Sequence, residues 1–290
     1  MLLATTSLAA RIERAEADTA AAFARRAGDS GTPILIAPVG GTHAVYGGPG
    51  QPFNKIAGLG FAPLDEEALA RLEAAYDDRG AEMRVEQSSL ADPSVAAMLT
   101  RRGFTLIGYE NVLGLPLTAG VVTAFAAACE AAREQGIEIA AAAAAETPAW
   151  IRAAAEGFLT PDVFDGPPPT ESFARESMER IFADFSGAPG CALYLARREG
   201  EIAGTGALRI VDRLAQLAGA STLPAHRRRG VQSILMRARL VAAAAAGCDL
   251  AVVTTEPGSR SQQNVQRAGF ALLYVRAVLV RPPITAAADA

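Results

Sequence analysis

Lysine is almost missing from this chain. Lys55 is the only one, so 26 of the 27 basic side chains are arginine, and because Ile56 follows it no Gly-Lys-Ser or Gly-Lys-Thr occurs. A Walker-type nucleotide loop is thereby excluded. Histidine is limited to His43 and His226, and the three cysteines, Cys129, Cys191 and Cys248, stand isolated in apolar surroundings. That scatter has no metal-ligand spacing, so no metal centre is expected, and reduced thiols are predicted rather than disulfides. Long hydrophobic runs are absent too: the alanine tracts at 140–145 and 242–246 fall far short of the roughly 18 residues a membrane span requires. No basic segment precedes the first apolar residues, and Arg11, Glu13 and Arg14 follow at once, so no signal peptide is read and the cytoplasm is the expected compartment. Nor is there a basic surplus. A net charge of -4 and a pI near 5.4 argue against a nucleic-acid partner.

What is present is ample core material. Of 290 residues 50% are hydrophobic and 20% charged, with a mean hydropathy of +0.19, which excludes a disordered chain and leaves room for one domain or two. Apolar and alanine positions at helical spacing predict a helix over 8–27, stopped by Gly28, Ser30, Gly31 and Pro33. Strands follow at 34–37 and 42–46 around Gly40-Gly41, with another apolar run at 55–61. Pro63 and the acids Asp65, Glu66 and Glu67 open a helix that runs to Gly80, and then come a strand (83–87), a helix (93–101) and a strand (105–113).

After Pro116 the pattern gives a helix over 121–133, a strand near 137–140, and helices over 148–158 and 171–185 separated by Pro167-Pro168-Pro169. Strands at 192–197, 202–211 and 215–223 lead to a long helix over 229–246, with Val231, Ile234, Leu235, Ala238, Val241 and Ala242 on one face. A strand (250–255), a short helix (259–267) and a strand (272–280) close the chain. Both stretches end alike: strand, short helix, Arg-x-Gly-Phe or Arg-Gly-Phe, then an apolar strand carrying a tyrosine. The two glycines, Gly103 and Gly269, lie 166 positions apart. The spacing predicts two copies of one α+β unit, the second enlarged.

The most informative segment joins the 215–223 strand to the long helix: Thr222-Leu223-Pro224-Ala225-His226-Arg227-Arg228-Arg229-Gly230-Val231-Gln232-Ser233. A helix N-terminus offers unpaired N–H groups and partial positive charge, and glycine lets a phosphate reach the backbone. This is an anion-binding turn. Gly204-Thr205-Gly206, by contrast, sits inside a strand pattern and opens no helix, so a dinucleotide fingerprint fails.

The turn resembles the acyl-CoA-binding motif of the GNAT superfamily of N-acetyltransferases: strand, apolar-x-Pro, two residues, Arg/Gln-x-x-Gly-x-Gly/Ala, helix. Here Arg227-Arg228-Arg229-Gly230-Val231-Gln232 fills it, with Gln232 in place of the usual Gly or Ala. The order of elements over about 136–282 is similar as well. The resemblance implies an α+β fold of two GNAT-like units, 1–118 and 119–290, each a mixed, mostly antiparallel sheet flanked by helices. A splayed parallel strand pair is expected in the second. In the first, Asp65, Glu66 and Glu67 stand where the arginines would be, a charge that repels pyrophosphate, so that half reads as a degenerate unit without CoA.

By the same resemblance the amides around Arg229, Gly230, Val231, Gln232 and Ser233 hold the CoA pyrophosphate, with Arg227 and Arg229 as charge partners. Ser221, Thr222 and Leu223 pair with the pantetheine arm, one N–H at Thr222 or Leu223 stabilises the oxyanion, and Ser261 and Asn264 reach the pantetheine or adenosine end. The family's usual tyrosine acid is missing, since its position is Val265. Tyr274 is the alternative acid, or else a buried sheet aromatic. Glu256, directly after the 250–255 strand, is the candidate base; Asp212 and Glu156 are carboxylates at expected cleft edges.

The implied activity is transfer of an acetyl group from acetyl-CoA, as co-substrate and with no metal, to a small-molecule primary amine. The acceptor is an amino acid, polyamine, aminoglycoside, peptide terminus or thiol-precursor amine, with specificity expected from the loops around 162–172 and from the contact with the N-terminal half. The alternative is a CoA-binding sensor or interaction protein on an inactive scaffold. Neither nucleic acid nor membrane is an expected partner, and the assembly is a monomer acting as an internal pseudo-dimer, or a homodimer.

Overall fold

The computed structural model describes residues 2–161 and 174–284. The 167–169 turn, the loop at 162–172 and the start of the helix expected over 171–185 lie almost wholly outside them. Thr5 caps α1 (Thr6–Asp29) by accepting the Leu8 N–H at 3.1 Å. β1 (Leu35–Val39) and β2 (Thr42–Tyr46) form the expected hairpin around Gly40 and Gly41. The 55–61 run yields only β3 (Ile56–Ala57), because Gly58 and Gly60 turn to φ +86 and +87 and break the strand. α2 (Glu66–Asp77), capped by Asp65, is followed by β4 (Met83–Ser88), α3 (Pro93–Arg101), β5 (Thr105–Pro116) and α4 (Ala119–Glu134). Then come β6 (Ile137–Ala141), α5 (Thr147–Leu159), α6 (Arg175–Ser186), β7 (Cys191–Arg198), β8 (Glu201–Val211) and β9 (Leu214–Thr222). The chain continues through α7 (Val231–Ala245), β10 (Leu250–Thr255), α8 (Arg260–Arg267) and β11 (Ala271–Arg281). None of the described helices is long and apolar enough to cross a membrane.

Two compact units result, and their limits differ from the sequence division at 118. The first takes Leu3–Val112 and the chain from Leu272 onward; the second takes Leu113–Ala271. The chain changes unit inside β5 and returns at β11. In the first unit the strand order is β1-β2-β3-β4-β11-β5. β11 pairs antiparallel with β4 from Arg276↔Ser88 to Arg281↔Met83, and Arg281 clamps Asp77 of α2 through two bonds of 3.0 and 2.7 Å. Leu69, Leu72 and Tyr76 of α2, Val95 and Leu99 of α3, and Ile56, Met83, Val85 and Leu279 form one buried cluster.

Beside that apolar cluster the first unit buries a set of charges. Arg276 and Glu13 are 0% exposed and Glu86 1%; Arg276 Nε donates to Glu13 Oε1 at 2.7 Å, and its Nη1 to Glu86 at 3.3 Å and Glu110 at 3.5 Å. Lys55, the single lysine, donates to Glu16 at 2.6 Å and Glu86 at 3.0 Å. Burial works against the Lys55 charge, yet Glu16, Glu86 and Glu110 together hold its ammonium above the ordinary lysine range. Burial, reinforced by Glu86, pushes the Glu110 carboxyl up to about 7 against the pull of Lys55, Arg276 and Arg84.

A carboxyl raised in the folded state contributes stability below the ordinary carboxylate range and loses it as pH climbs towards 7. Glu110→Gln removes that loss. The melting temperature of the variant minus that of the parent is therefore expected to rise between about pH 4.5 and 7, and a difference flat with pH would contradict the assignment.

The second unit has the strand order β5-β10-β9-β8-β7-β6, beginning with the end of β5 that belongs to it. Its β9 and β10 are parallel, as are β3 and β4 in the first unit, and the remaining described pairings are antiparallel. Met236, Leu240 and Ala243 of α7 pack on Leu208, Ala215, Leu217 and Ala251 of the sheet. The fully buried stripe of α7 is thus rotated by about one residue from the expected Ala238, Val241 and Ala242, which are only half-buried. Cys248 is buried, while Cys129 and Cys191 are half-buried; none of the three is in a disulfide.

Candidate functional site

The site is built where β9 ends. After Thr222 the chain makes a short 3-10 turn at Pro224–His226, Arg228 and Gly230 take φ +60 and +79, and α7 starts at Val231. No side chain caps α7, and its first intrahelical bond runs from the Ile234 N–H to the Gly230 carbonyl at 3.1 Å. The N–H groups of its opening turn therefore point outward uncapped. Val231 itself is buried against Ala196, Ala203 and Leu235, so it contributes backbone only, while Arg229, Gly230 and Ser233 are exposed around the opening.

β9 and β10 diverge beside this turn. Their parallel pairing has three rungs, ending at Val252↔Gln216, and each strand then continues without the other, to Thr255 and Thr222. β9 also carries a bulge: Thr205 of β8 lies opposite Ser221, but Ala207 lies opposite Ala218, so β9 spends one residue more than β8 near Gly219, whose φ is +58. The Leu223 N–H bonds the Ala203 carbonyl of β8 at 3.0 Å. By the alternation of a strand, Thr222 turns its N–H to the other edge, towards β10. Of the two amides expected for an oxyanion, the Leu223 one is already spent. The hydroxyls of Thr222 and Thr255 are buried without a hydrogen-bond partner, and Thr255 is 5% exposed.

Several other expected residues have different duties. Arg227 Nε donates to the Thr222 carbonyl at 3.1 Å and its Nη2 to the Thr160 carbonyl, so this arginine clasps the end of α5 to the end of β9 instead of waiting for an anion. Ser221 is 7% exposed and bonds Thr205 Oγ1 at 2.8 Å, and a Cβ at Gly157 would lie 2.4 Å from its Oγ; its hydroxyl is packed beneath α5. Gln232 Oε1 accepts from Asn264 Nδ2 at 2.5 Å, which ties the start of α7 to α8. Ser261 is exposed on the first turn of α8.

Among the carboxylates, Glu256 stands half-buried just after β10, its carbonyl accepting the Ser259 N–H that leads into α8. Asp212 lies in the β8–β9 turn at φ +46, at the start of β9 and not at its Thr222 end, which removes it from the site. Glu156 bonds Arg175 at 2.5 Å. With Arg152, Glu179 and Leu223 this pair borders an open groove of about 380 Å³ at the end of β9. Tyr274 belongs to the first unit: it is 4% exposed and its hydroxyl donates to Glu13 at 2.7 Å. Burial and the neighbouring Glu13 raise its phenol above the ordinary range, so Tyr274 is the buried sheet aromatic and not an acid of this site.

Sequence reasoning missed Thr255, Trp150 and Arg239. The signal was present for Arg239 alone, as a charge interrupting the apolar face of a long helix.

Residues 161–270, which contain the turn, the diverging strands and α8, match the model of the Acetyltransferase (GNAT) family. That segment is similar to the GNAT acetyltransferases. The GNAT likeness extends to solved structures. A GCN5-related N-acetyltransferase from Kribbella flavida superposes with a TM-score of 0.62 at 19% identity, over 95% of this chain and 96% of that one. A tandem GNAT protein from the clavulanic acid biosynthesis pathway does so with 0.52 at 13%, over 76% of this chain and 70% of that one. A functionally unknown conserved protein from Staphylococcus epidermidis gives 0.53 at 8%, over 76% and 79%. At these identities the likeness is one of fold. No curated protein matches the sequence.

Proposed function

We propose that the second unit transfers an acetyl group from acetyl-CoA to a small-molecule primary amine by direct attack on the thioester. The observation that carries this reading is the uncapped N-terminal turn of α7 beside two diverging strands whose terminal threonine hydroxyls, Thr222 and Thr255, lack partners. The turn's amides and Arg229 take the pyrophosphate, and the free edge of β9 takes the pantetheine amides. Acetyl-CoA supplies the activated acyl group.

The Thr222 N–H faces the slot and stabilises the oxyanion as the amine nitrogen bonds to the carbonyl carbon. Glu256 takes the amine proton, directly or through water. The C–S bond then breaks, and the sulfur leaves as thiolate and is protonated by water.

Acetyl-CoA binding by calorimetry, with thiol release measured across amino acids, polyamines, aminoglycosides and peptide amines, tests the proposal. Saturable binding with release that depends on one class of amine is expected. Binding without amine-dependent release on any of them would make the chain a CoA sensor, and absence of binding would overturn both readings.

A further inference from the structure

Arg239 is a buried cation whose hydrogen bonds go to carbonyl oxygens. It is 2% exposed, its Nη1 donates to Ala207 at 2.8 Å and Ala218 at 3.2 Å, and its Nε donates to Leu235 one turn back in α7. Burial lowers the guanidinium to about 10, and the one neighbour that opposes this is Tyr194. Holding a charge there is costly compared with the leucine-type side chains around it, so the fold gains something else from it.

Its two strand partners, Ala207 and Ala218, are the last matched pair before the β9 bulge. Only glycine at 206 admits the guanidinium, since a Cβ there would lie 2.8 Å from Arg239 Cζ. From the other face of the sheet Trp150, 0% exposed, donates to the Tyr194 carbonyl at 3.0 Å and the Gly206 carbonyl at 3.3 Å, and its ring lies 3.3 Å from where a Cβ of Gly219 would stand. The bulge is gripped between a helix arginine and a helix tryptophan.

We propose that Arg239 is a positioning residue: by bonding the carbonyls at the root of the β9 bulge it sets which edge of the strand the Thr222 N–H faces. The reason is parity. With the bulge, Leu223 bonds Ala203 and Thr222 lies opposite Gly204. Were β9 regular from Ala218 onward, Thr222 would stand opposite Ala203 and spend its N–H on β8, because a one-residue slip exchanges the two edges of a strand. The slot would then lose its oxyanion donor while the α7 turn, several residues further on, kept its anion site. The consequence for turnover rests on the acetyl-transfer reading, but the consequence for the amide does not.

Arg239→Met and Arg239→Lys test this, with Gly219→Ala as a perturbation from the Trp150 side should the methionine variant fold poorly. With acetyl-CoA and the amine that gives the fastest thiol release in the parent, kcat is expected to fall on the order of 100-fold or more in Arg239→Met, with affinity for CoA by calorimetry changed less than about threefold. Arg239→Lys is expected to recover part of the rate. Hydrogen exchange at the Thr222 amide, followed by NMR in the chain without ligand, is expected to slow in Arg239→Met as the amide pairs with β8. Unchanged exchange and unchanged kcat in folded variants would overturn the proposal. A parent chain that neither binds CoA nor releases thiol would overturn the acetyl-transfer reading, and the exchange comparison would still decide the role of Arg239.

Discussion

Gly230→Glu is expected to weaken CoA binding by at least about 100-fold while the chain stays folded. Gly230 has φ +79, a conformation that costs an ordinary residue roughly 1–2 kcal/mol, but a Cβ there meets no atom within 4 Å. The variant therefore loses some stability through strain and none through collision. Its carboxylate lands at the start of α7, where no native side chain caps the helix. A negative charge is welcome at a helix N-terminus, so the new side chain occupies the amides proposed to hold the pyrophosphate and also repels it. Losing two charge-assisted hydrogen bonds at about 1.5–3 kcal/mol each corresponds to a factor of 100 or more in Kd. Gly230→Ala carries the strain without the charge, and its Kd is expected to rise less than tenfold. Calorimetry with CoA, beside thermal melts of both variants, checks the pair. A glutamate variant that binds CoA like the parent would show that the pyrophosphate site is not the α7 turn.

Arg276→Met is expected to destabilise the first unit by about 3–5 kcal/mol, the usual consequence of removing one partner from a buried ion pair. The substitution leaves Glu13, at 0% exposure, with only the Tyr274 hydroxyl at 2.7 Å, and withdraws one of the cations that balance Glu86 and Glu110. At a few degrees per kcal/mol for a unit of this size, the melting temperature falls by roughly 10 °C. The loss comes from the stranded carboxylates, so Glu13→Gln combined with Arg276→Met is expected to be more stable than the sum of the two single changes. A double variant that merely adds the two losses would show that Arg276 contributes packing rather than charge.

Element types were largely legible because they follow from a few neighbouring residues. Thr5, Asp65 and Ser259 each cap the helix that follows, Gly40-Gly41 closes a hairpin, and each expected strand and helix among the described residues lies within a few positions of its place. The shortest strand, β3, fell below its expected length because two glycines with positive φ end it, and glycine content alone does not say which φ is adopted. The α7 turn was legible for the same local reason: proline, three arginines and Gly230 precede an apolar helical repeat. Arg227 was not, since its partner Thr160 is 67 positions away and its motif position says nothing about a carbonyl there.

Taken by itself, the sequence determined the kinds of element and their order, the matching helix ends at Gly103 and Gly269, and the arginine-rich turn before α7. Tertiary structure decided which unit receives the last strand, that Tyr274 serves Glu13 at a separation of 261 residues, and which edge of β9 presents the Thr222 amide. The division has a physical cause. Caps, turns and periodicity are settled by energies acting over a few residues, whereas strand pairing, bulge parity and the partner of a buried charge are chosen among groups brought together only when the chain has collapsed.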